Sequence, residues 1–257
     1  MKNRAIYKSF KSNYLTLFFI LTFIMTILVS FYKYNTSEKH YINVKVKAGQ
    51  GLWWYSGNNP KIWMLNSLNK DILNNPQIAL KSIRYYPINP ESNNNTDSFD
   101  IFIIARISVI KDGNQYTYRR NPVNVGAPID MRFNNIMATG TVIDMNEKEI
   151  DDDLHSINVS IIKHNPFPYE MESLSGGTIY FDGMENTLEV KEKLITTNSF
   201  NGSNQTLSVN MKLKVKKIRN FYVFGNERII SVGNKFTFIT PSFTFSDWVI
   251  TKVENTT

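Results

Sequence analysis

Two clusters of side chains in this 257-residue sequence are of types that recognise ligands. Trp53, Trp54 and Tyr55 stand together in GLWWYSGNNP, and aromatic faces beside amide groups stack on sugars or anchor protein partners. Arg119 and Arg120 in YRRNP suit an anionic polymer or a lipid headgroup. Each cluster also has a structural interpretation. The aromatic residues could pack in a core or contact a membrane interface, and the arginines could form a solvated turn.

The acidic run DMNEKEIDDD (144–153) is the cluster best suited to a hard cation. Carboxylates are the oxygen ligands that Ca²⁺ prefers, and here they come from Asp144, Glu147, Asp151, Asp152 and Asp153. The run lacks the spacing of a known calcium loop, however, and it lies between two similar halves of the chain. A solvated linker is therefore the favoured interpretation.

Catalytic and cofactor motifs are missing from the sequence. Without cysteine there is no thiolate nucleophile or thiolate metal site. His40, His155 and His164 form no paired metal-ligand pattern. There is no Gly-x-Ser-x-Gly elbow, and SGGTIYFDG has glycines without the helix that a phosphate loop requires. The sequence therefore predicts a protein that is not an enzyme, with no metal and no cofactor.

The positive charge is concentrated at the N-terminus. The formal net charge is +7, from 29 basic and 22 acidic residues. Residues 1–33 hold no acid and five of the bases, so 24 bases face 22 acids in the rest of the chain. Those five are Lys2, Arg4, Lys8, Lys11 and Lys33. Because the remainder is almost neutral, we expect no nucleic-acid partner.

A membrane anchor is predicted from NYLTLFFILTFIMTILVSFY (13–32). Twenty uncharged residues in a helix span roughly 30 Å, the thickness of a bilayer core. A cleaved signal peptide is the alternative, but the apolar run is long and no small-residue cleavage site follows it. The basic flank precedes the span, which places the N-terminus in the cytoplasm and the remainder outside the cell membrane.

The chain beyond the anchor is dominated by apolar–polar alternation, which is typical of half-buried β-strands. The clearest examples are 41–48, 100–110, 156–162, 207–216 and 234–240. Turn-forming residues separate them, as in KDGN (111–114), FDGM (181–184) and FGNE (224–227). One short helix is predicted in NPKIWMLNSL (59–68), from its possible Asn59 cap and Pro60.

An internal duplication is indicated by two segments that align without a gap. VGAPIDMRFNNIMATGTV (125–142) falls on VGNKFTFITPSFTFSDWV (232–249) at an offset of 107. This places Gly126 on Gly233 and Val142 on Val249. Both glycines lie between strands, where a tight turn needs a positive φ, so we interpret them as structural.

The earlier half of the repeat aligns less directly. At the same offset Tyr118 falls on Gly225 and Ile83 on Val190, whereas YINVKV matches SINVSI only after a gap of about eight residues. Chance similarity between β-rich segments is the alternative explanation.

Together these patterns predict a mainly β fold, in which a transmembrane helix precedes two tandem, internally duplicated β-barrel or sandwich-like modules. One pseudo-symmetric β structure fits the same pattern. The predicted division of the chain is a cytoplasmic N-terminus (1–12), a transmembrane helix (13–33), a stalk (34–40), a first module (41–145), an acidic linker (146–153) and a second module (154–257).

The stretch KDGNQYTYRRNPVNVGAPIDMRFNNIMATGTVIDM resembles the core of the domain of unknown function 4330, a bacterial family of N-terminally anchored envelope proteins. The similarity covers roughly residues 14–145, with a hairpin, a Val-Gly strand start and a Gly-Thr-Val ending. The upstream PKIWMLNSLNKDILNNPQIALKSIRYYP is similar to the family's preceding segment, although the usual glycine after Lys70 is missing. The resemblance implies an anchored envelope protein, but it implies no activity.

From the sequence we expect a non-enzymatic scaffold or adaptor of an envelope assembly, with polysaccharide or substrate export as the candidate setting. Its partners would be the lipid bilayer and proteins of that assembly, and a polysaccharide is a further candidate. The alternative is a module that binds a glycan or lipid through Trp53, Trp54 and Tyr55.

Overall fold

The computed structural model describes residues 2–36, 39–49, 60, 62–70, 78–88, 99–134, 136–151, 153–197 and 205–256. The helices are α1 (Lys2–Thr36), α2 (Ile62–Lys70) and α3 (Pro168–Ser173). The first seven strands are β1 (Lys39–Ala48), β2 (Ile78–Pro87), β3 (Phe99–Asp112), β4 (Gln115–Tyr118), β5 (Asn121–Val123), β6 (Pro128–Arg132) and β7 (Met137–Asn146). The others are β8 (Leu154–His164), β9 (Ile179–Phe181), β10 (Asn186–Thr197), β11 (Gln205–Ile218), β12 (Phe221–Phe224), β13 (Arg228–Ile230), β14 (Lys235–Ile239) and β15 (Thr244–Asn255).

The strands form two sheets with the same connectivity. The first sheet has the order β5-β4-β3-β1-β7-β6, and β2 also pairs with β3. The second has the order β13-β12-β11-β8-β15-β14, with β10 paired to β11 and β9 added outside β10. Apart from β9, each strand of one sheet has a counterpart in the other. The prediction of a mainly β, internally duplicated fold is confirmed at this level.

Pairing registers show which residues correspond between the two copies. Val46 pairs with Ile103 in the first sheet, and Ile161 pairs with Val209 in the second. Because Ile103 and Val209 are equivalent on β3 and β11, Val46 and Ile161 occupy the same position in their sheets. To align them, the predicted gap of eight residues must be added to the offset of 107.

Three of the finer alignments were wrong. The amide of Gly126 donates to the carbonyl of Val142, whereas that of Gly233 donates to Ile250, so Ile250 and not Val249 is the counterpart of Val142. The extra residue lies near Asp247, which has φ 58° beside a register shift in the β14–β15 pairing. A β-bulge of this kind adds one residue to a strand and is invisible to an ungapped alignment.

The other two errors lie in the earlier strands. Tyr118 corresponds to Phe224 and not to Gly225, because Thr117 and Val223 pair with equivalent positions of β3 and β11, Ile110 and Lys216. Ile83 does not correspond to Val190, because Ile83 pairs with Ile103 whereas Val190 pairs with Met211, the counterpart of Ala105.

Each sheet curls around its own apolar core. In β1 the alternating residues Ile42, Val44 and Val46 point into the first core, and all three are almost completely buried. Their counterparts on β8 do the same in the second core, where the Phe245 ring packs edge-on against Trp248. Period-two alternation therefore sets the inner face of both sheets, as expected for strands with one buried face.

The outer face of the first sheet is also covered. Asn43, Lys45 and Lys47 alternate with the core residues of β1, and such positions are normally solvated, yet all three are buried. Tyr86 and Phe102, from the same face, belong to the apolar cluster of the second sheet. The two sheets therefore share a packed interface.

The helix α1 precedes the first sheet, and only residues 37 and 38 separate it from β1. Its apolar side chains from Leu17 to Phe31 are each exposed by half or more. Among the residues that the structure describes, no helix is long and apolar enough to cross a membrane.

Candidate functional site

Arg119 and Arg120 form the whole of the two-residue turn between β4 and β5. Tyr118 and Asn121 are the pair that closes this hairpin. The two arginines have φ values of 50° and 72°. This left-handed conformation costs an ordinary L-residue roughly 1–2 kcal/mol, and two-residue hairpin turns usually place Asn or Gly there. The turn is therefore strained at two successive arginines.

A cavity of about 140 Å³ lies beside this turn. Its walls include Tyr118 and Arg119 on one side and Asp130 and Arg132 on the other. The first pair comes from the β4–β5 hairpin and the second from β6. Since β5 and β6 stand at opposite ends of the strand order, the sheet must curl until its ends face each other, and the cavity occupies the seam between them.

The hydroxyl of Tyr118 is an unusual group in this seam. It is buried, and it has no hydrogen-bond partner among the described residues. Burial raises the pKa of Tyr118, while the charges of Arg119 and Arg132 oppose that rise, so both guanidinium groups act on this hydroxyl. The guanidinium of Arg119 also lies 5.4 Å from the centre of the Tyr118 ring. Two cations and one hydroxyl donor are a set that can bind an oxyanion.

The two glycines of the repeat hold equivalent turns. Gly126 and Gly233 have φ values of 90° and 87°. Each donates its amide to the last inward residue of the following hairpin, at 2.7 Å and 2.8 Å. Both turns connect strands of the β sheets. We therefore interpret the two glycines as structural.

The predicted aromatic cluster Trp53, Trp54 and Tyr55 lies outside the described residues. Gly49, just before that segment, donates its amide to the carbonyl of Thr139 at 2.9 Å. It follows the end of β1 that is farther from α1.

The acidic run makes local contacts. Glu147 accepts hydrogen bonds from the Lys111 ammonium at 2.8 Å and the Tyr116 hydroxyl at 2.5 Å, and these bonds lower its pKa. Asp153 lies 3.6 Å from His155, while Asp152 is outside the described residues. Across the described part of the chain, no three His, Asp or Glu side chains converge as a metal site.

The sheet interface contains a buried ion-pair network that the sequence did not reveal. Asp182, in the β9–β10 turn, is fully buried and accepts from Arg84 Nη1 at 2.6 Å and from the Tyr86 hydroxyl at 2.7 Å. The same carboxylate also accepts the amides of Met184 and Glu185 at 2.9 Å and 3.0 Å. Four donors on one carboxylate offset much of the cost of burying its charge.

Electrostatics in this network follow from the same contacts. Burial is the largest single effect on Arg84 and opposes its charged form, but the hydrogen bonds to Asp182 and Glu185 and the charge of Asp182 together outweigh it and raise the pKa of Arg84. Arg84 Nη2 also donates to Glu185 at 2.9 Å, and Lys214 pairs with Glu185 from the other side. Burial would raise the pKa of Glu185, but these two cations lower it overall.

A second part of the interface lies around β1. Lys47 pairs with Asp100 at 3.0 Å and with Glu227 of the second sheet, and Lys45 donates to Asn226 Oδ1 at 2.9 Å. Burial raises the pKa of Asp100 in spite of its lysine partner. A cavity of about 260 Å³ beside these residues has lysines and acids on its walls together. This mixture is typical of a polar interface. Because both signs of charge are present, the cavity favours neither an anionic nor a cationic ligand.

The interface residues could not have been identified from sequence patterns. FDGM (181–184) was assigned correctly to a turn, but nothing local distinguishes its aspartate from those of other turns. Its partner Arg84 is 98 positions away.

No protein-family model, curated protein or solved structure matches this chain. The resemblance to the family of domain of unknown function 4330 therefore stays a prediction.

Proposed function

We propose that this chain is a single-pass, membrane-anchored protein whose β portion lies outside the cell membrane and serves as a non-enzymatic scaffold or adaptor of an envelope assembly. The observation that carries the proposal is the exposed apolar surface of α1, which ends only two residues before β1. An apolar helix face in water is unfavourable, and a bilayer would remove it from water.

The scaffold role is supported by the interface between the sheets. Tyr86 and Phe102 of the first sheet pack in the second core, and Arg84 pairs with Asp182 across the boundary. Buried apolar and ionic contacts of this kind hold two modules in one orientation. A rigid body on a short membrane connection suits the positioning of partner proteins, and polysaccharide or substrate export is the setting we propose.

Potential acid–base groups are engaged in structural bonds, which also favours a scaffold. Glu170 is fully buried and accepts from Lys163 Nζ at 2.6 Å and from its own turn at the Phe167 amide, 2.9 Å away. His164 Nδ1 lies 2.9 Å from the Thr206 hydroxyl. These bonds fix the start of α3 and the end of β8.

Topology and neighbours can be tested in the same cells. Protease added to intact spheroplasts should cut the β portion, whereas an epitope before Lys2 should be protected. A photoreactive amino acid at exposed Ile179 or Phe181 should give discrete protein adducts in membranes, and the matched exposed position Lys252 should give fewer. Protection of the β portion would refute the anchor, and equal, diffuse labelling at all three positions would refute the scaffold role.

Glycan binding is the second candidate, and the position of Gly49 favours it over lipid contact for the aromatic cluster. The ten residues of β1 span about 33 Å, with α1 before one end of the strand and Gly49 after the other. If α1 is in a bilayer, the segment that holds Trp53, Trp54 and Tyr55 starts at the distal end of this strand. Alanine at Trp53 and Trp54 in the full chain should abolish retention on a polysaccharide resin, and unchanged retention would exclude this role.

A further inference from the structure

We propose that the seam between β5 and β6 is a binding site for a phosphate-class oxyanion, held by Arg119, Arg132 and the hydroxyl of Tyr118. The inference stands whether or not the chain acts as a scaffold. It rests on the cavity, on the buried hydroxyl and on a comparison between the two copies of the β unit.

The cavity has the size and polarity for such a ligand. Its volume of about 140 Å³ is roughly ten times the 10–15 Å³ that one water molecule needs. Guanidinium groups bind phosphate oxygens through paired N–H donors, and a buried hydroxyl without a partner is costly until an acceptor reaches it. An oxyanion in the seam would give the Tyr118 hydroxyl an acceptor and lie within the field of both arginines.

Asp130 is the opposing charge in the cavity wall. Its Oδ1 accepts a hydrogen bond from the Thr139 hydroxyl at 2.9 Å, which is a contact within the β6–β7 hairpin. Arg119 and Arg132 still outnumber it on the wall. The seam therefore favours a ligand with negative charge.

The second copy shows that the fold itself needs none of these groups. Phe224 replaces Tyr118, Gly225 and Asn226 have the positive φ values of the two arginines, at 59° and 65°, and Ile239 replaces Arg132. Gly and Asn are the residues that this backbone prefers. The first copy instead keeps two arginines at strained positions and a hydroxyl that has no hydrogen-bond partner in the described part of the chain. Strain and unsatisfied polar groups of this kind are concentrated at binding sites.

The register places the two walls of the seam at opposite ends of β1. Thr117, just before Tyr118, is opposite Ile110, and Ile110 is opposite Lys39, the first residue of β1. Asp130 is opposite Thr139, whose carbonyl accepts the amide of Gly49 just past the end of β1. The phosphate can come from a lipid headgroup, if α1 is in a bilayer, or from a soluble or polymeric phosphate.

The test uses the full chain in maltoside micelles, which contain no phosphate, and follows its thermal midpoint against inorganic phosphate at constant ionic strength in chloride. The wild type should be stabilised with a saturable dependence. In R119G/R120N, which puts the residue types of Gly225 and Asn226 at the two positions of positive φ, half-saturation should need about tenfold more phosphate or greater. Y118F, which copies Phe224, should also weaken binding.

R219G is the matched control. Arg219 is an exposed arginine at φ 55° in the β11–β12 turn, so this substitution removes one charge and one strained residue away from the seam. It should leave the phosphate dependence as in the wild type. A wild type without a phosphate-specific shift, or an equal shift in R119G/R120N, would overturn the proposal.

The source of the phosphate is resolved by repeating the titration in phosphatidylglycerol nanodiscs. If a headgroup occupies the seam, added phosphate should no longer stabilise the wild type, and the difference from Y118F should be present without phosphate. If the ligand is soluble or polymeric, the phosphate shift should persist in the discs.

Discussion

Arg84 of β2 and Asp182 of the β9–β10 turn join the two copies of the β unit through a hydrogen-bonded ion pair, with 2.6 Å between Nη1 and Oδ2. The aspartate side chain is fully buried and the arginine side chain is 10% exposed. A neighbouring backbone bond, from the Tyr85 amide to the Asp182 carbonyl at 2.8 Å, ties the outer edge of β2 to the same turn. One turn of the second copy therefore satisfies both charge and backbone groups of the first.

Removal of one partner from this pair should be strongly destabilising. In D182A the Arg84 charge stays buried without its main partner, and we expect a loss of about 3–5 kcal/mol in the free energy of unfolding. The thermal midpoint of the full chain measures it. The control is E254A, which breaks the exposed pair with Lys252, and for which we expect less than about 1 kcal/mol. Equal effects from D182A and E254A would contradict a structural role for the interface.

Two carboxylates of the interface should respond to acid in opposite directions. The folded-state pKa of Glu185 is lowered, so its contribution to stability is present above its ordinary pKa of 4.5 and is lost as the pH falls through the lowered value. The folded-state pKa of Asp100 is raised, so its contribution is present below its ordinary pKa of 3.8 and is lost as the pH rises through the raised value.

The thermal midpoint should therefore depend on pH differently in the two amide variants. E185Q should lose less stability on acidification than the wild type does. D100N should lose more, because the stabilising protonation of Asp100 is no longer available. The measurement is the slope of the thermal midpoint against pH, on the acid side of neutral pH. Parallel slopes in all three proteins would show that neither carboxylate is linked to folding.

Sequence periodicity was sufficient to locate the strands but not the interface between the sheets. Four of the five predicted alternating segments lie within strands, and the fifth, 234–240, extends one residue beyond β14 at each end. A strand with one buried face must alternate, which is why the pattern finds strands. The same rule assigns Lys45 and Lys47 to solvent, and the structure buries them because the second copy covers that face. Such burial depends on contacts between residues far apart in the chain, and local patterns carry no information about it.

The candidate site was predictable only in part. Arg119 and Arg120 are visible in the sequence as adjacent cations, but the strain in their turn and the position of Arg132 across the seam depend on the curl of the sheet. The meaning of the turn depends on a correct alignment with Gly225 and Asn226, which the offset of 107 misses by one residue. The extra residue in the β12–β13 loop, Glu227, explains that difference.

Gly140 should tolerate no side chain. A Cβ atom there would lie 2.4 Å from the carbonyl oxygen of Lys47 and 2.5 Å from Val46 Cγ1. Both neighbours belong to β1, so G140A must push β7 away from the central strand. We expect it to lower the free energy of unfolding by about 1–3 kcal/mol or more.

G176A is the matched control for that substitution. Its nearest contact, the Lys191 carbonyl oxygen, would be 3.4 Å from the new Cβ, which is nearly ordinary packing. We expect its midpoint to stay close to that of the wild type. A G140A protein as stable as G176A would mean that β1 and β7 are not held at the observed separation.

The strain in the β4–β5 turn should lower the stability of the protein, independently of phosphate binding. R119G/R120N should raise the thermal midpoint in phosphate-free micelles, because Gly and Asn adopt positive φ more easily than arginine does. The relief is roughly 1–2 kcal/mol for each residue, and the greater freedom of glycine in the unfolded chain offsets about 0.5–1 kcal/mol of it. We therefore expect a net gain of about 1 kcal/mol or more. A lower midpoint than the wild type would show that the arginine side chains stabilise the folded hairpin by more than their backbone strain opposes it.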